Sequence, residues 1–519
     1  MSRRPTLWYP FLFAALPVLN TLTRNPGGTR LDDAAITLAA SLLTCAVIYG
    51  IVAAGLRGRA SGALVPLVVL IGIFLIYGKA AVGQFTRGLG MPPVAVLAAL
   101  AGLLILAVWW LSRRPPVLDR VNTFFTLTGL LMVGWLGVRF AADQARARSV
   151  VRNSELARRL AQPIPVRGAA FASGPAMKPD IYLIVLDEYA NSAVLRELFQ
   201  FDNRPFEDSL RQLGFTIPRL VRSNYVHTLL SLPSLLNFSH LTRVPAEVGD
   251  GSSDATLPNY LLDHNRTATF LRQQGYRYLF FPSQWWPSTT RSRTADWEFQ
   301  AWHGFNLLRE ITRSDLRRSL LSTTAFDVLE GDYRWDADHL QRTLRGLEQV
   351  PRVPEPTFAF AHLVSPHWPY VFKADCRVAA PTPLRGRAER QHAYTAQLQC
   401  LNRLVLHTVT AIIQQSSPGP IIVIQGDHGT NLLRYSSAPS AQAVTPAQLR
   451  ERFGAFGAYY MPAGGGRLFA DTVTIVNVFQ KVLSHYFGAQ VQPAADELYV
   501  SLERTPYRFR SVDPATLGP

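Results

Sequence analysis

Apolar residues run along this chain in two different rhythms. Over the first 140 positions they form five long runs, at 7–22, 34–56, 62–78, 93–111 and 121–138, and several hold no charge over about 18–20 residues. At about 1.5 Å per residue, such a helix crosses a bilayer core of roughly 30 Å. The alternative is the buried bundle of a soluble protein, but runs this uniformly apolar, joined by short arginine-bearing links, predict membrane spans. No small-residue cleavage site follows the first run, so it is expected to stay on the chain as a span and not as a removed signal peptide.

After residue 180 the rhythm shortens. Apolar strands are predicted at 182–186, 276–281, 357–364 and 420–425. Between them lie helical patterns within 195–214, at 267–275, within 326–350 and at 388–415. Strands that are apolar on both faces and alternate with helices imply a mostly parallel sheet covered on both sides. Residues 139–162 read as a basic, weakly apolar helix, and 163–179 as a Pro/Gly/Ala-rich linker. The expected architecture is therefore an N-terminal α-helical transmembrane bundle of five spans (1–140), a juxtamembrane helix and linker (141–179), and an α/β sandwich domain with a mostly parallel sheet (180–519).

Charge refines this picture. The net charge of +16 is almost wholly arginine, since lysine occurs only at 79, 178, 373 and 481. No nucleic-acid recognition motif accompanies it, and an exported domain over an anionic membrane accounts for the same sign. Arg3 and Arg4, Arg57 and Arg59, then Arg113, Arg114 and Arg120 fall on one side of the five runs. Arg24 and Arg30, then Lys79 and Arg87, fall on the other. The richer side is the cytoplasmic one, so an odd number of spans delivers the C-terminal domain to the outer face. Of the three cysteines, Cys45 lies inside a span. Cys376 and Cys400 suit one disulfide in an oxidising compartment, the alternative being two free buried thiols.

Three predicted strands end in chemistry. YLIVL runs into Asp187-Glu188, TFAFAHLV into SPHWPY with His362 and His367, and IIVIQ into GDHG with Asp427 and His428. In a parallel sheet ligands bind beyond the carboxyl ends of strands, so these groups are expected to converge. An acid and an imidazole at a strand mouth can both reach one metal ion, and flanking glycines let the backbone turn and approach closely. Taken alone, Asp427-His428 reads equally as a helix cap beside a surface histidine. A fourth segment, RSNYVHTLLSLPSLLN, brings hydroxyls at Ser223, Thr228, Ser231 and Ser234. A hydroxyl beside a metal ionises readily, which makes Thr228 a candidate nucleophile, although any one of these residues alone more often caps a helix. Asn265-Arg266 reads as a helix start with a possible substrate contact, and Trp285-Trp286 as packing or a sugar or lipid groove.

The ordered set DIYLIVLDEYA, SNYVHTLLSLPSLLN, HLVSPHWPY and GDHG behind five apolar runs resembles the alkaline phosphatase superfamily in its membrane-anchored, sulfatase-like branch. That branch includes lipoteichoic acid synthase and the phosphoethanolamine transferases. The resemblance covers roughly 180–490 and implies one divalent ion, Mn, Mg or Zn, held by Asp187, Thr228, Asp427 and His428, with Glu188 as an alternate ligand or outer partner. It further implies Thr228 as nucleophile, His367 as a catalytic group, and His362 and His367 at the substrate, with Ser223, Asn265 and Arg266 as further candidates.

The implied function is a metal-dependent transferase that moves a phospholipid-derived phospho-substituent, of phosphoglycerol or phosphoethanolamine type, onto an envelope glycan or lipid through a phosphothreonine. It implies an integral protein of the bacterial cytoplasmic membrane, its C-terminal domain on the periplasmic or extracellular side. The rival readings are a phosphodiesterase, phosphatase or other sulfatase-like hydrolase, and a non-catalytic envelope scaffold. Three departures bear on these. No Cys/Ser-x-Pro-x-Arg motif for formylglycine stands near 223–234, which disfavours sulfate esters. The position five residues before the Ser-x-Pro element in phosphoethanolamine transferases is here Val226, with Thr228 two residues later. No histidine follows His428 until His485, which favours a single-metal site.

Overall fold

The computed structural model describes residues 8–24, 31–56, 62–77, 93–167, 178–283, 289–300, 333–379, 386–469 and 471–518, with single positions at 316, 320, 324 and 384. The chain divides into two compact units, 1–149 with 305–331, and 150–304 with 332–519. Trp285 and Trp286 lie outside the described residues, as does most of the expected linker.

The first unit is helical: α1 (Tyr9–Arg24), α2 (Leu31–Gly55), α3 (Val65–Tyr77), α4 (Pro93–Ser112) and α5 (Pro115–Asn153). Many of its large apolar side chains point outward. Leu43, Ile51, Leu103, Ile105 and Leu131 are exposed, the reverse of a water-soluble bundle. The interior holds apolar clusters, among them Val18, Val69 and Leu70, and polar links beside them. The Tyr9 hydroxyl donates to Asn122 Oδ1 at 2.8 Å, Asn122 Nδ2 donates to the Ala63 carbonyl at 3.0 Å, and Ser41 Oγ donates to the Ala14 carbonyl at 2.7 Å. Such bonds join helices where water is absent. Leu316 and Leu320 pack with Val18, Leu22 and Ala34 of this unit.

Two helices, Asp33–Gly55 and Pro115–Asn153, are long and apolar enough to cross a membrane. Tyr9–Thr23, Val65–Tyr77 and Ala101–Ser112 are apolar but shorter. The expected five full-length spans are thus two at full length among the described residues. The basic stretch 139–162 is not one helix of its own either: α5 continues unbroken through its first part to Asn153, and a short separate helix covers Glu155–Leu160.

The second unit begins with the short α6 (Glu155–Leu160) and is built on a six-stranded sheet of order β4-β3-β5-β1-β6-β7. In chain order these are β1 (Ile181–Leu186), β3 (Arg277–Phe281), β4 (Trp297–Glu298), β5 (Thr357–Leu363), β6 (Ile421–Gly426) and β7 (Gly457–Tyr460). The strands β4, β3, β5, β1 and β6 are parallel, and β7 is an antiparallel edge. Every residue of β1, β5 and β6 is buried, because helices cover both faces. Tyr182, Ile184 and Leu186 pack into one core with the long α14 (Arg387–Gln415) and α13 (Tyr333–Leu347). Ile181, Leu183 and Val185 pack into the other, with α9 (Thr228–Asn237) and α16 (Val478–Phe487). Two smaller pairs complete the unit: β2 (Leu220–Arg222) with β8 (Thr472–Thr474), and β9 (Leu498–Leu502) with β10 (Thr505–Val512).

Register is what places the site. Leu186 pairs with Leu363 on one side and with Gly426 on the other, so all three central strands end at one level. The three chemistry-bearing loops therefore leave the same edge of the sheet side by side.

Candidate metal and nucleophile site

Each side chain of the cluster is aimed by local backbone. Asp187 follows β1 directly, its N–H donating to the Leu363 carbonyl at 3.0 Å. Glu188 then turns into the left-handed region at φ 60, which brings its N–H to Asp427 Oδ1 at 3.2 Å. Asp427 also accepts the His428 N–H on Oδ1 at 3.0 Å. The fencing glycines are required by crowding. A Cβ on Gly426 would lie 2.5 Å from the Tyr189 carbonyl oxygen, and one on Gly429 would lie 1.9 Å from that of Glu451.

Thr228 is the first residue of α9, whose N-cap His227 makes no side-chain capping bond. Its hydroxyl donates to Asp427 Oδ2 at 2.7 Å and lies 3.1 Å from His428 Nε2. The positive end of a helix dipole favours negative charge at this oxygen. The other hydroxyls are committed elsewhere. Ser223 faces the Arg452 carbonyl at 3.4 Å, Ser231 donates to the Tyr225 carbonyl and Ser234 to the Ser239 carbonyl.

The cluster fits a divalent cation on three observations. Ligand atoms of Asp187, His362 and Asp427 all lie within 4.8 Å of one another. Asp187 Oδ1 and His362 Nε2 are buried without a hydrogen-bond partner, a costly arrangement for a carboxylate unless a cation meets it. His428 Nδ1 faces the Gly429 carbonyl at 3.1 Å, which turns Nε2 into the cluster, 3.1 Å from Asp427 Oδ2, 4.0 Å from Asp187 Oδ1 and 3.3 Å from Arg452 Nη2. Asp187, Asp427, His428 and Thr228 are the residues such an ion would engage, with His362 beside them.

Electrostatics agree. Burial, and then the Asp187 charge, push the Asp427 carboxyl well above its ordinary value. Burial also acts on Asp187, but the imidazoles of His367, His362 and His428 outweigh it and hold that carboxyl below the usual range. Burial and the Arg452 charge keep His428 neutral. Two carboxylates in one buried site cannot both ionise without a positive charge between them.

His362 lies against Asp187, Nε2 to Oδ2 at 3.5 Å, with Nδ1 3.1 Å from Thr289 Oγ1, and is 1% exposed. His367 is half-buried, and its N–H donates to the Asp187 carbonyl at 3.1 Å. Burial lowers its affinity for a proton, but Glu188 and Asp187 outweigh that and raise it. Gln397 of α14 fixes this loop, donating to the His367 carbonyl at 3.0 Å and accepting from Val371 N–H at 2.7 Å. Cys376 and Cys400 form a disulfide that ties the same loop to α14.

Asn265 corrects an expectation. It caps α12 (Arg266–Gln273), accepting from Ala268 N–H at 2.8 Å and donating to the Leu262 carbonyl at 2.9 Å, and it is fully buried. Arg266 stacks its guanidinium over Phe238 at 4.7 Å. No hydrogen bond or ion pair among the described residues links either to the cluster, because capping and packing use both side chains. Glu188 Oε1 accepts from Arg452 Nη1 at 2.7 Å, the contact an outer partner of the cluster would make.

Arg452 itself escapes sequence reasoning. It is 4% exposed, at the end of α15 (Pro446–Phe453), and lies over the Tyr435 ring at 4.8 Å. Nothing in QLRERFGAF distinguishes it from the many surface arginines. Its neighbour Glu451, also buried, accepts from Thr430 Oγ1 and Leu432 N–H, each at 2.5 Å, and so holds the loop after GDHG.

The sulfatase family profile matches residues 183–452, from β1 to Arg452 and more than half of the chain. No curated protein matches it in sequence. Among solved structures, the C-terminal periplasmic domain of EcEptC from Escherichia coli is 14% identical, with 69% of this chain and 98% of that one covered at a TM-score of 0.46. That of the phosphoethanolamine transferase EptC from Campylobacter jejuni is 12% identical, with 61% and 92% covered at 0.35. The lipoteichoic acid synthase LtaP from Listeria monocytogenes is 12% identical, with 69% and 84% covered at 0.36. Likenesses this low carry no argument about substrate. The match over the whole cluster-bearing region does carry the family: this chain belongs to the sulfatase family of the alkaline phosphatase superfamily, and is an enzyme of the metal-dependent, sulfatase-like type.

Proposed function

We propose that the protein is a membrane-bound transferase that moves a phospholipid-derived phospho-substituent, of phosphoglycerol or phosphoethanolamine type, onto a hydroxyl of an envelope glycan or lipid. In this reading the helical unit crosses the bacterial cytoplasmic membrane five times and the sheet domain works on the outer side. One Mn, Mg or Zn ion is held by Asp187, Asp427 and His428 with Thr228. The observation that carries the reading is the Thr228 hydroxyl, 2.7 Å from Asp427 Oδ2 and 3.1 Å from His428 Nε2 in a buried cluster. Formylglycine arises from cysteine or serine, so a threonine in this place favours phosphoryl over sulfuryl chemistry.

When bound, the ion supplies charge neutralisation at the phosphodiester and eases ionisation of the threonine. Thr228 Oγ1 gives its proton toward Asp427 Oδ2 and forms a bond to phosphorus as the bond to diacylglycerol breaks. His367, whose proton affinity Glu188 and Asp187 raise against the opposing effect of burial, offers the leaving alkoxide a proton. The acceptor hydroxyl then attacks the same phosphorus, its proton passes to His367, and Thr228 leaves and regains its own. An anchor that confines the enzyme beside a lipid donor raises effective concentration without a new contact.

Mass spectrometry of the full chain incubated with membrane lipids and Mn²⁺ tests this. A phospho-substituent on Thr228, absent from Thr228→Ala, is expected. An adduct-free wild type under each of the three metals refutes the transfer. An adduct discharged only to water, with no labelled glycan or lipid, selects hydrolysis instead.

A further inference from the structure

Three loops far apart in sequence carry the cluster. One follows β1 with Asp187, one precedes α9 and leads to Thr228, and one follows β6 with Asp427 and His428. The ladder between β1 and β6 aligns the first and third. The second belongs to no strand of that sheet, so its distance from the others must be set by something else.

Arg452 touches all three. Its Nη1 donates to Glu188 Oε1 at 2.7 Å, beside Asp187, and to the Gly429 carbonyl at 2.6 Å, beside His428. Its Nη2 and Nε donate to the Val226 carbonyl at 2.6 and 3.1 Å, two residues before Thr228. The backbone around it repeats the pattern. Gly429 N–H donates to the Arg452 carbonyl at 2.8 Å, Ser223 N–H to that of Phe453 at 2.9 Å, and Asn191 N–H to that of Gly454 at 3.0 Å. One buried turn at the end of α15 thus braces the three loops that carry Asp187, Thr228 and the Asp427–His428 pair.

We propose that Arg452 is the positioning residue of the transfer site, fixing the Thr228 hydroxyl relative to the Asp187 and Asp427 carboxylates. The inference rests on the transfer reading above. A lysine would keep the charge but could not reach three acceptors at once, since that needs the planar fork of a guanidinium. The side chain is buried and engaged on every arm, and its Nη2 also lies 3.3 Å from His428 Nε2, so it acts on the reaction through the loops and the imidazole it holds and not through contact with substrate.

The test follows Thr228 adduct formation over time in the full chain in detergent, with phospholipid vesicles as donor and Mn²⁺ as metal. For Arg452→Lys, the rate at saturating donor is expected to fall about a hundredfold, as for a displacement of about 1 Å in a reacting group. The donor level giving half the rate should stay within about threefold of wild type, since substrate contacts are untouched. Glu188→Gln loosens one arm and is expected to slow the step about tenfold. The double variant should be no slower than Arg452→Lys alone, because both act through one brace.

Adduct formation by Arg452→Lys at the wild-type rate, a defect wholly in the donor requirement, or effects that multiply in the double variant would each overturn the proposal. Should Arg452→Lys fail to fold, Glu188→Gln is read together with the pH profile of the rate, because Glu188 also raises the proton affinity of His367: an unchanged rate, or a loss that only a shifted profile explains, overturns the proposal. A wild type that forms no adduct sinks the transfer reading and this inference with it. A labelled wild type with an undiminished Arg452→Lys sinks only the arginine's role.

Discussion

Gly429→Ala puts a methyl where the fold has no room. Its Cβ would stand 1.9 Å from the Glu451 carbonyl oxygen, 2.9 Å from that of Gly454 and 3.1 Å from the Glu451 carbonyl carbon, all of them backbone atoms. Reaching even a tight contact of about 3 Å demands a shift of about 1 Å between the GDHG loop and α15, more than a packed interior absorbs without loss. Two hydrogen bonds cross that gap, Gly429 N–H to the Arg452 carbonyl at 2.8 Å and Arg452 Nη1 to the Gly429 carbonyl at 2.6 Å. Losing them costs about 1 kcal/mol for the first and about 2 kcal/mol for the charged second, and overpacking adds about 1–3 kcal/mol.

The expected destabilisation is about 4–6 kcal/mol, or a fall in thermal midpoint of about 8 °C or more. His428 moves with the loop, so Thr228 labelling should drop about a hundredfold even in the folded fraction. Gly386→Ala is the control, since nothing lies within 4 Å of its Cβ and its φ of −134 suits any residue. The assays are differential scanning fluorimetry in detergent and adduct formation by mass spectrometry. A Gly429→Ala protein with the midpoint and labelling rate of Gly386→Ala would refute the reasoning that backbone crossing, and not mere loop flexibility, demands glycine here.

Removing divalent ions should lower the thermal midpoint as well as abolish labelling, because the folded state loses the binding energy of the ion and Asp187 and Asp427 can no longer both stay ionised; an unchanged midpoint after chelation would mean that no ion sits between them. Burial raises the Glu451 carboxyl from 4.5 to about 7. Between those values the folded protein keeps a proton that the unfolded chain has released, so this group's contribution to stability falls as pH rises from about 4.5 to 7. Glu451→Gln should remove up to about 3 kcal/mol of that pH dependence, and parallel unfolding profiles for variant and wild type would contradict it. Opening the Cys376–Cys400 bridge, which spans 24 residues, by a double serine substitution should cost about 3 kcal/mol on the chain-entropy account, read as a lower midpoint; a midpoint insensitive to the substitution would show the loop is held by Gln397 alone.

Much of the fold was legible because burial leaves a local trace. Strands β1, β5 and β6 are covered on both faces, so each appears as an unbroken apolar run, and each was predicted within a residue of its observed ends. The two long helices α13 and α14 were equally plain. The span count was less so, since apolar composition does not set helix length: α3 covers only 13 residues, while α5 runs on for 39 through a basic segment with no signal to stop it.

The sequence by itself determined which chemistry the chain carries. Acids and imidazoles stand directly after strands, glycines fence them, and hydroxyls cluster before a helix, all within short segments where neighbours in sequence are neighbours in space. Only the tertiary structure decided which of these groups meet. The level ends of β5, β1 and β6 bring Asp187, His362 and Asp427 together, and the first turn of α9 selects Thr228 over three serines whose hydroxyls face backbone. Arg452 gathers its partners from Val226, Glu188 and Gly429, separated by as many as 264 positions, and no local pattern can encode a contact whose acceptors are mostly backbone carbonyls that every residue possesses.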